Sequence, residues 1–236
     1  MTTVSLSIIH AAHMPERQRS LDRLLSQLAP SPPWLLATLI HRERELPRDP
    51  KTGFGWASRA WAAASRGPAS GAEFHLFLND DVLPSPTFWT SLQAILRWLP
   101  QNAALGLGTV DPIQRIERDA GKRYCHPGIV GWGYGLWHHH IRKVSSTEMD
   151  LPDDHRSPHS HDECPADCHW WHEDAWLTEF LHDENVEIWH PIPSILDHDT
   201  TVLSAYDNDH HKNRTAQVHW RDYSESDLTS LEFWKP

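Results

Sequence analysis

Long apolar runs are missing from this 236-residue chain: no window approaches 18 uninterrupted apolar residues. The amino terminus also lacks a basic stretch leading into an apolar one. The first absence argues against a transmembrane helix and the second against an export signal, so the expected compartment is the cytoplasm, with no membrane partner. Cysteine is scarce. Cys125, Cys164 and Cys168 are an odd number, which makes a disulfide framework improbable and turns attention to metal binding or plain burial. Positive charge is short as well. The formal net charge of −11 gives no general attraction to phosphate backbones and disfavours non-specific nucleic-acid binding. What remains is an ordinary globular balance, 39% hydrophobic and 22% charged, which argues for a folded chain rather than a disordered one. The excesses are 19 His and 13 Trp, residues that supply metal ligands, proton carriers and flat amphipathic surfaces.

The length suits one domain with insertions, and no internal repeat is visible. Residues 4–9 read as a buried strand, with a polar loop over 10–19 and a helix over 20–28, where Leu21, Leu24, Leu25 and Leu28 recur at helical spacing. A second strand is expected over 34–40 and a helix over 56–65. A short buried strand over 74–78 then runs into Asn79-Asp80-Asp81. A helix over 86–99 and strands over 105–110 and 186–189 continue the βαβ alternation that marks an α/β fold. Residues 145–169 are rich in Ser, Asp, His and Pro and read as an irregular His/Cys-rich insertion. Residues 176–181 read as helix, and the tail from Asp199 as polar loop.

Five constellations can carry chemistry. Asn79-Asp80-Asp81 leaves a strand where α/β sheets place ligands, and two carboxylates there can reach a divalent cation that also takes substrate phosphates; alternatively the three residues form a turn before Pro84. His172-Glu173-Asp174 opens a helix, where Asp174 by preference serves as general base, or where the acids simply cap the helix. Asp197-His198-Asp199 leaves a later strand and can complete a metal site. His161, Cys164, Cys168 and His172 have separations that can close a structural zinc site, or belong to a solvated His-rich loop. Gly131 to Trp137 alternates glycine with aromatics, a surface for stacking on a sugar or base, or a glycine-punctuated core strand.

In this order the pieces resemble the small GT-A glycosyltransferases, including versions from bacteriophage and actinobacterial genomes. The matching stretches are Pro15-Glu16-Arg17, the helix through Phe54 and Trp61, Phe77-Leu78-Asn79-Asp80-Asp81-Val82, Leu107-Gly108-Thr109-Val110, the glycine-aromatic stretch, His172-Glu173-Asp174, and Trp189 through His198. The resemblance implies a Rossmann-like sheet flanked by helices in one domain over 1–236. Residues 1–110 form the nucleotide-sugar half, 111–205 the acceptor half with the 145–169 insertion, and 206–236 a tail. It implies that Asp81 faces a divalent ion, Mn2+ or Mg2+, which His198 joins. Asp80 lies near the ribose or sugar, and Asn79 replaces the first acid of a DxD-type motif, weakening the hold on metal. Arg17 and Arg59 meet the nucleotide or its phosphates. Asp174, with Glu173 beside it, stands where inverting members keep their base. The implied reaction is transfer of a sugar from a nucleotide sugar, a UDP sugar among the candidates, to a hydroxyl acceptor. A hydroxymethylated pyrimidine in phage DNA is the special case, and would place the protein in the host cytoplasm. Two rival readings stand beside it: a zinc-stabilised module that binds sugar or nucleic acid without catalysis, and a metal-dependent nucleotidyltransferase or hydrolase. No feature of the sequence specifies an oligomeric state.

Overall fold

The structure, a computed structural model, describes residues 2–43, 71–108, 113–125, 140–143, 185–202, 216 and 218–236. Within them the chain is mixed α/β. Strand β1 (Val4–Ala11) is buried along all eight residues and lies between β2 (Leu35–Glu43) and β3 (Phe74–Asn79), parallel to both. Its two serines meet histidines across the sheet: Ser5 Oγ lies 2.6 Å from His75 Nδ1, and Ser7 Oγ 3.2 Å from His41 Nε2. Helix α1 (Pro15–Gln27) joins β1 to β2. It begins five residues before the sequence-based expectation. Pro15 sits in the first turn, where its missing N–H is not needed and its fixed φ suits the helix, and Glu16 adds favourable charge there. Arg17 is therefore a helical residue on the buried side, not a loop residue.

After β3 the chain makes β4 (Val82–Pro84), helix α2 (Phe88–Leu96) and β5 (Ala103–Gly106). Helix α3 (Ile113–Asp119), β6 (Tyr124–Cys125), β7 (His140–Lys143), β8 (Glu187–Pro191) and β9 (Leu196–His198) follow. The main sheet has seven strands in the order β2-β1-β3-β7-β5-β8-β6. β7 runs antiparallel between β3 and β5, β8 runs parallel to β5, and β6 antiparallel to β8. β4 and β9 form a separate two-stranded antiparallel sheet.

One core joins the sheet to the helices. Leu6, Ile8, Leu76 and Leu78 from the strands meet Leu21 and Leu24 of α1 and Leu92 and Ile95 of α2. The expected helix over 86–99 thus appears as α2, with Phe88, Leu92, Ile95 and Leu96 buried. The tail departs from expectation. Residues 218–236 include a 3-10 turn (Trp220–Asp222) and a short helix α4 (Glu225–Thr229), and they bury Leu228 and Trp234 in the same core. Trp234 is fully buried with its indole N–H donating to Leu228 O at 2.8 Å, while its own carbonyl accepts from Tyr124 Oη at 2.6 Å. The β5–β8 contact is equally close. A Cβ on Gly106 would lie 2.3 Å from Cε1 of the buried His190 ring, so only glycine fits at that point of the strand.

The connectivity creates a reversal of strand order. From β1 the chain moves to β2 on one side of the sheet and then returns to β3 on the other, so the order reverses between β1 and β3. Ligands of α/β sheets lie outside the carboxyl ends of strands at such a reversal. Ala11 and Asn79 are the residues at those ends.

Candidate functional site at the β1 and β3 carboxyl ends

Three residues, two strands and one helix converge on Asp80. Its Oδ2 accepts from Ala11 N at 3.1 Å and lies 2.6 Å from His10 Nδ1, while its Oδ1 accepts from Arg17 Nη2. The Asp80 N–H donates to Ile9 O at 3.1 Å, which ties the turn to β1. Asp80 has no solvent exposure, so this carboxylate is a joint between β1, β3 and α1. Nδ1 is the nitrogen of His10 that meets the carboxylate, which leaves Nε2 as the second polar atom of the ring. That Nε2 is buried and has no hydrogen-bond partner among the described residues.

Asp81 is the outer member of the pair. Its Oδ2 accepts from Arg17 Nη1 at 2.7 Å, and its side chain is 18% exposed. One guanidinium therefore spans both carboxylates. Burial alone would lower the pKa of Arg17, but the charges of Asp81 and then Asp80, with hydrogen bonds to both, outweigh it and hold the group above its ordinary value. Arg17 is therefore cationic at neutral pH.

The β4–β9 ladder brings the second acidic stretch alongside. Val82 pairs with His198, and Asp199 N donates to Asp81 O at 2.8 Å. Asp199 Oδ1 accepts from Thr201 N at 3.0 Å and Thr201 Oγ1 at 2.6 Å, and Oδ2 accepts from Arg23 Nη2. Burial pushes its carboxyl up, but the Thr201 bonds and the bond and charge of Arg23 more than reverse this and hold it below its ordinary value. Asp197 faces elsewhere. Its Oδ1 accepts from His198 N at 3.0 Å and Ala216 N at 3.1 Å, and its Oδ2 meets His219 Nδ1 and Arg221 Nη1, each at 3.0 Å.

Of the residues expected from sequence, Arg17, Asn79, Asp80 and Asp81 come together here, and His198 lies on the adjoining ladder. Arg59, Glu173 and Asp174 lie outside the described residues, as do His161, Cys164, Cys168 and His172. His10 and Arg23 escaped the sequence reading. His10 had a signal, since it is a polar residue at the carboxyl end of an apolar strand. Arg23 follows Arg17 by six residues on α1, a link hidden while Arg17 was read as loop.

The donor set does not fit a divalent ion as it stands. Among the described residues no three His, Cys, Asp or Glu side chains gather where a cation can sit. Both carboxylates of the Asn79-Asp80-Asp81 turn already accept from Arg17, and the ladder register sets His198 opposite Val82 rather than Asp81. No protein-family profile matches the chain, and no curated protein is significantly similar to it. Among the described residues no helix is long and apolar enough to cross a membrane.

Proposed function

We propose that the chain is a GT-A-like glycosyltransferase that moves a sugar from a nucleotide sugar to a hydroxyl acceptor. The observation that carries this reading is the position of Asn79, Asp80 and Asp81, which leave β3 beside the reversal between β1 and β3 with Arg17 clamped across the two acids. A nucleotide at that reversal would lie against the carboxyl ends of β1 and β3, as ligands of α/β sheets do. A parallel β1–α1–β2 unit and a strand ending in a fixed acidic turn agree with the family resemblance seen in the sequence.

The reaction proposed is a single displacement. The bond from the anomeric carbon to the diphosphate oxygen breaks, a bond to the acceptor oxygen forms, and the acceptor proton passes to a carboxylate. Asp174, with Glu173 next to it, is proposed for that proton on the sequence resemblance. The narrower acceptor proposal is a hydroxymethylated pyrimidine in DNA, reached as a single exposed base, since a chain of net charge −11 offers little to a long backbone.

Product analysis tests the reading. Purified protein is incubated with a panel of nucleotide sugars and hydroxyl acceptors, hydroxymethylcytosine DNA among them, and products are followed by mass spectrometry. A released nucleoside diphosphate together with an acceptor heavier by one sugar residue is the expected result. Pyrophosphate release, or hydrolysis with no acceptor modified, would replace it with the nucleotidyltransferase or hydrolase reading.

A further inference from the structure

We propose that Arg17 is the resident cation of this site: its guanidinium fills the position between Asp80 and Asp81 that a divalent ion would need, and the site works without a bound metal. The inference goes beyond the transferase reading and does not depend on it. It begins from the way the two adjacent carboxylates are used. Each gives an oxygen to a different Nη of the same guanidinium, on Asp80 through Nη2 and on Asp81 through Nη1 at 2.7 Å. Such a planar fork, spread over two carboxylates, is what arginine offers and lysine does not.

Burial makes the arrangement hard to exchange. Arg17 is 4% exposed and Asp80 not at all. Asp80 takes two further donors, Ala11 N and His10 Nδ1, so its two oxygens face three donors in all. A small divalent ion needs a near-octahedral oxygen shell and keeps several of its waters. To enter between these acids it would have to displace the guanidinium from both of the carboxylates that hold it, and a buried charge stripped of its partners is strongly disfavoured. Among the described residues the neighbouring acids are engaged as well. Asp199 is held by Arg23 and Thr201, and Asp197 by His219, Arg221 and two backbone N–H groups. Arg17 in turn is held in place by its helix: α1 begins two residues earlier, and Arg17 N donates to Met14 O at 3.0 Å. It acts as a positioning residue, fixing Asp81 beside the reversal by charge rather than by coordination.

Mn2+ binding, read from the loss of the free-ion electron paramagnetic resonance signal, tests this without any nucleotide. Wild type is compared with Asp81→Asn, so that ions taken up elsewhere on the chain cancel. The two are expected to bind Mn2+ alike, within about twofold. Uptake by wild type that is weakened roughly tenfold or more in Asp81→Asn would overturn the proposal. The converse variant is Arg17→Met, which keeps a long apolar stem and frees both acids. When folded, it is expected to gain a Mn2+ site that the double variant Arg17→Met with Asp81→Asn lacks. A folded Arg17→Met that takes up no more Mn2+ than wild type would contradict the claim that the guanidinium stands in a cation's place. If Arg17→Met does not fold, the wild-type comparison decides alone. A failed transferase assay leaves both readouts untouched, so the two proposals fail separately.

Discussion

Asn79-Asp80-Asp81 and Asp197-His198-Asp199 are alike on paper: each leaves a short strand, each carries two acids, and the strands that flank them pair with one another through β4 and β9. In each, one acid is consumed by architecture and another is ion-paired to α1. Asp80 binds β1, β3 and α1 together, while Asp197 fastens residues 216–221 to the end of β9. Asp81 is held by Arg17 and Asp199 by Arg23, so one face of α1 is pinned against both stretches. The difference lies in the partners. Those of Asp80 are buried and come from 63 to 70 residues away, at the point where the sheet order reverses. The side-chain partners of Asp197, His219 and Arg221, are partly exposed and come from 22 and 24 residues away. An acid-rich strand end is therefore not by itself a metal motif; what its oxygens already accept decides its role.

The comparison is sharpened most by removing its two hubs. Asp80→Ala leaves buried His10 without its carboxylate and buried Arg17 with Asp81 alone, and should cost about 3–5 kcal/mol in a urea titration. Asp197→Ala strips two side chains that water can reach and one buried N–H, that of Ala216, and should cost less, about 1–3 kcal/mol. An Asp197 loss equal to that of Asp80 would erase the distinction between them. The smallest effect belongs to Asp199. Its carboxyl is held below the ordinary value in the folded chain, so its contribution is present above the unfolded pKa of about 3.9 and is lost as pH falls through the folded value. Arg23 is 38% exposed, so its share is screened. Arg23→Met should remove about 0.5–1 kcal/mol at pH 7 and flatten the decline of stability below pH 4, as followed by thermal melts across that range.

Local pattern carried the parts of the fold that are local. The apolar run of β3 stopping at Asn79, the leucine spacing of α1 and the apolar side of α2 were all legible, and with them the acidic turn at the end of a strand. Long-range pairing was not. β7 is four residues long, begins at the last of three consecutive histidines, and slots antiparallel between β3 and β5 although nothing in its own sequence names those partners. The tail failed for a related reason: Leu228 and Trp234 are isolated among polar residues, and their burial depends on the surface presented by α2 and the sheet. At the site, Asp80 and Arg17 were both legible as candidates, but that they neutralise each other depends on α1 starting at Pro15 and turning Arg17 inward. His10 was hidden because a strand end and a loop start look the same when one polar residue follows six apolar or small ones.

The most direct test of the account is a thermal-shift titration of the purified protein in EDTA with UDP, GDP, TDP and CMP, alongside Asn79→Trp, which sets a large ring at the end of β3. The account predicts that one nucleotide stabilises the wild type, by about 2.7 kcal/mol at a hundredfold excess over Kd, with no added metal. It also predicts that folded Asn79→Trp loses the effect. No stabilisation by any of the four nucleotides, or stabilisation undiminished in Asn79→Trp, would contradict a nucleotide site between the carboxyl ends of β1 and β3.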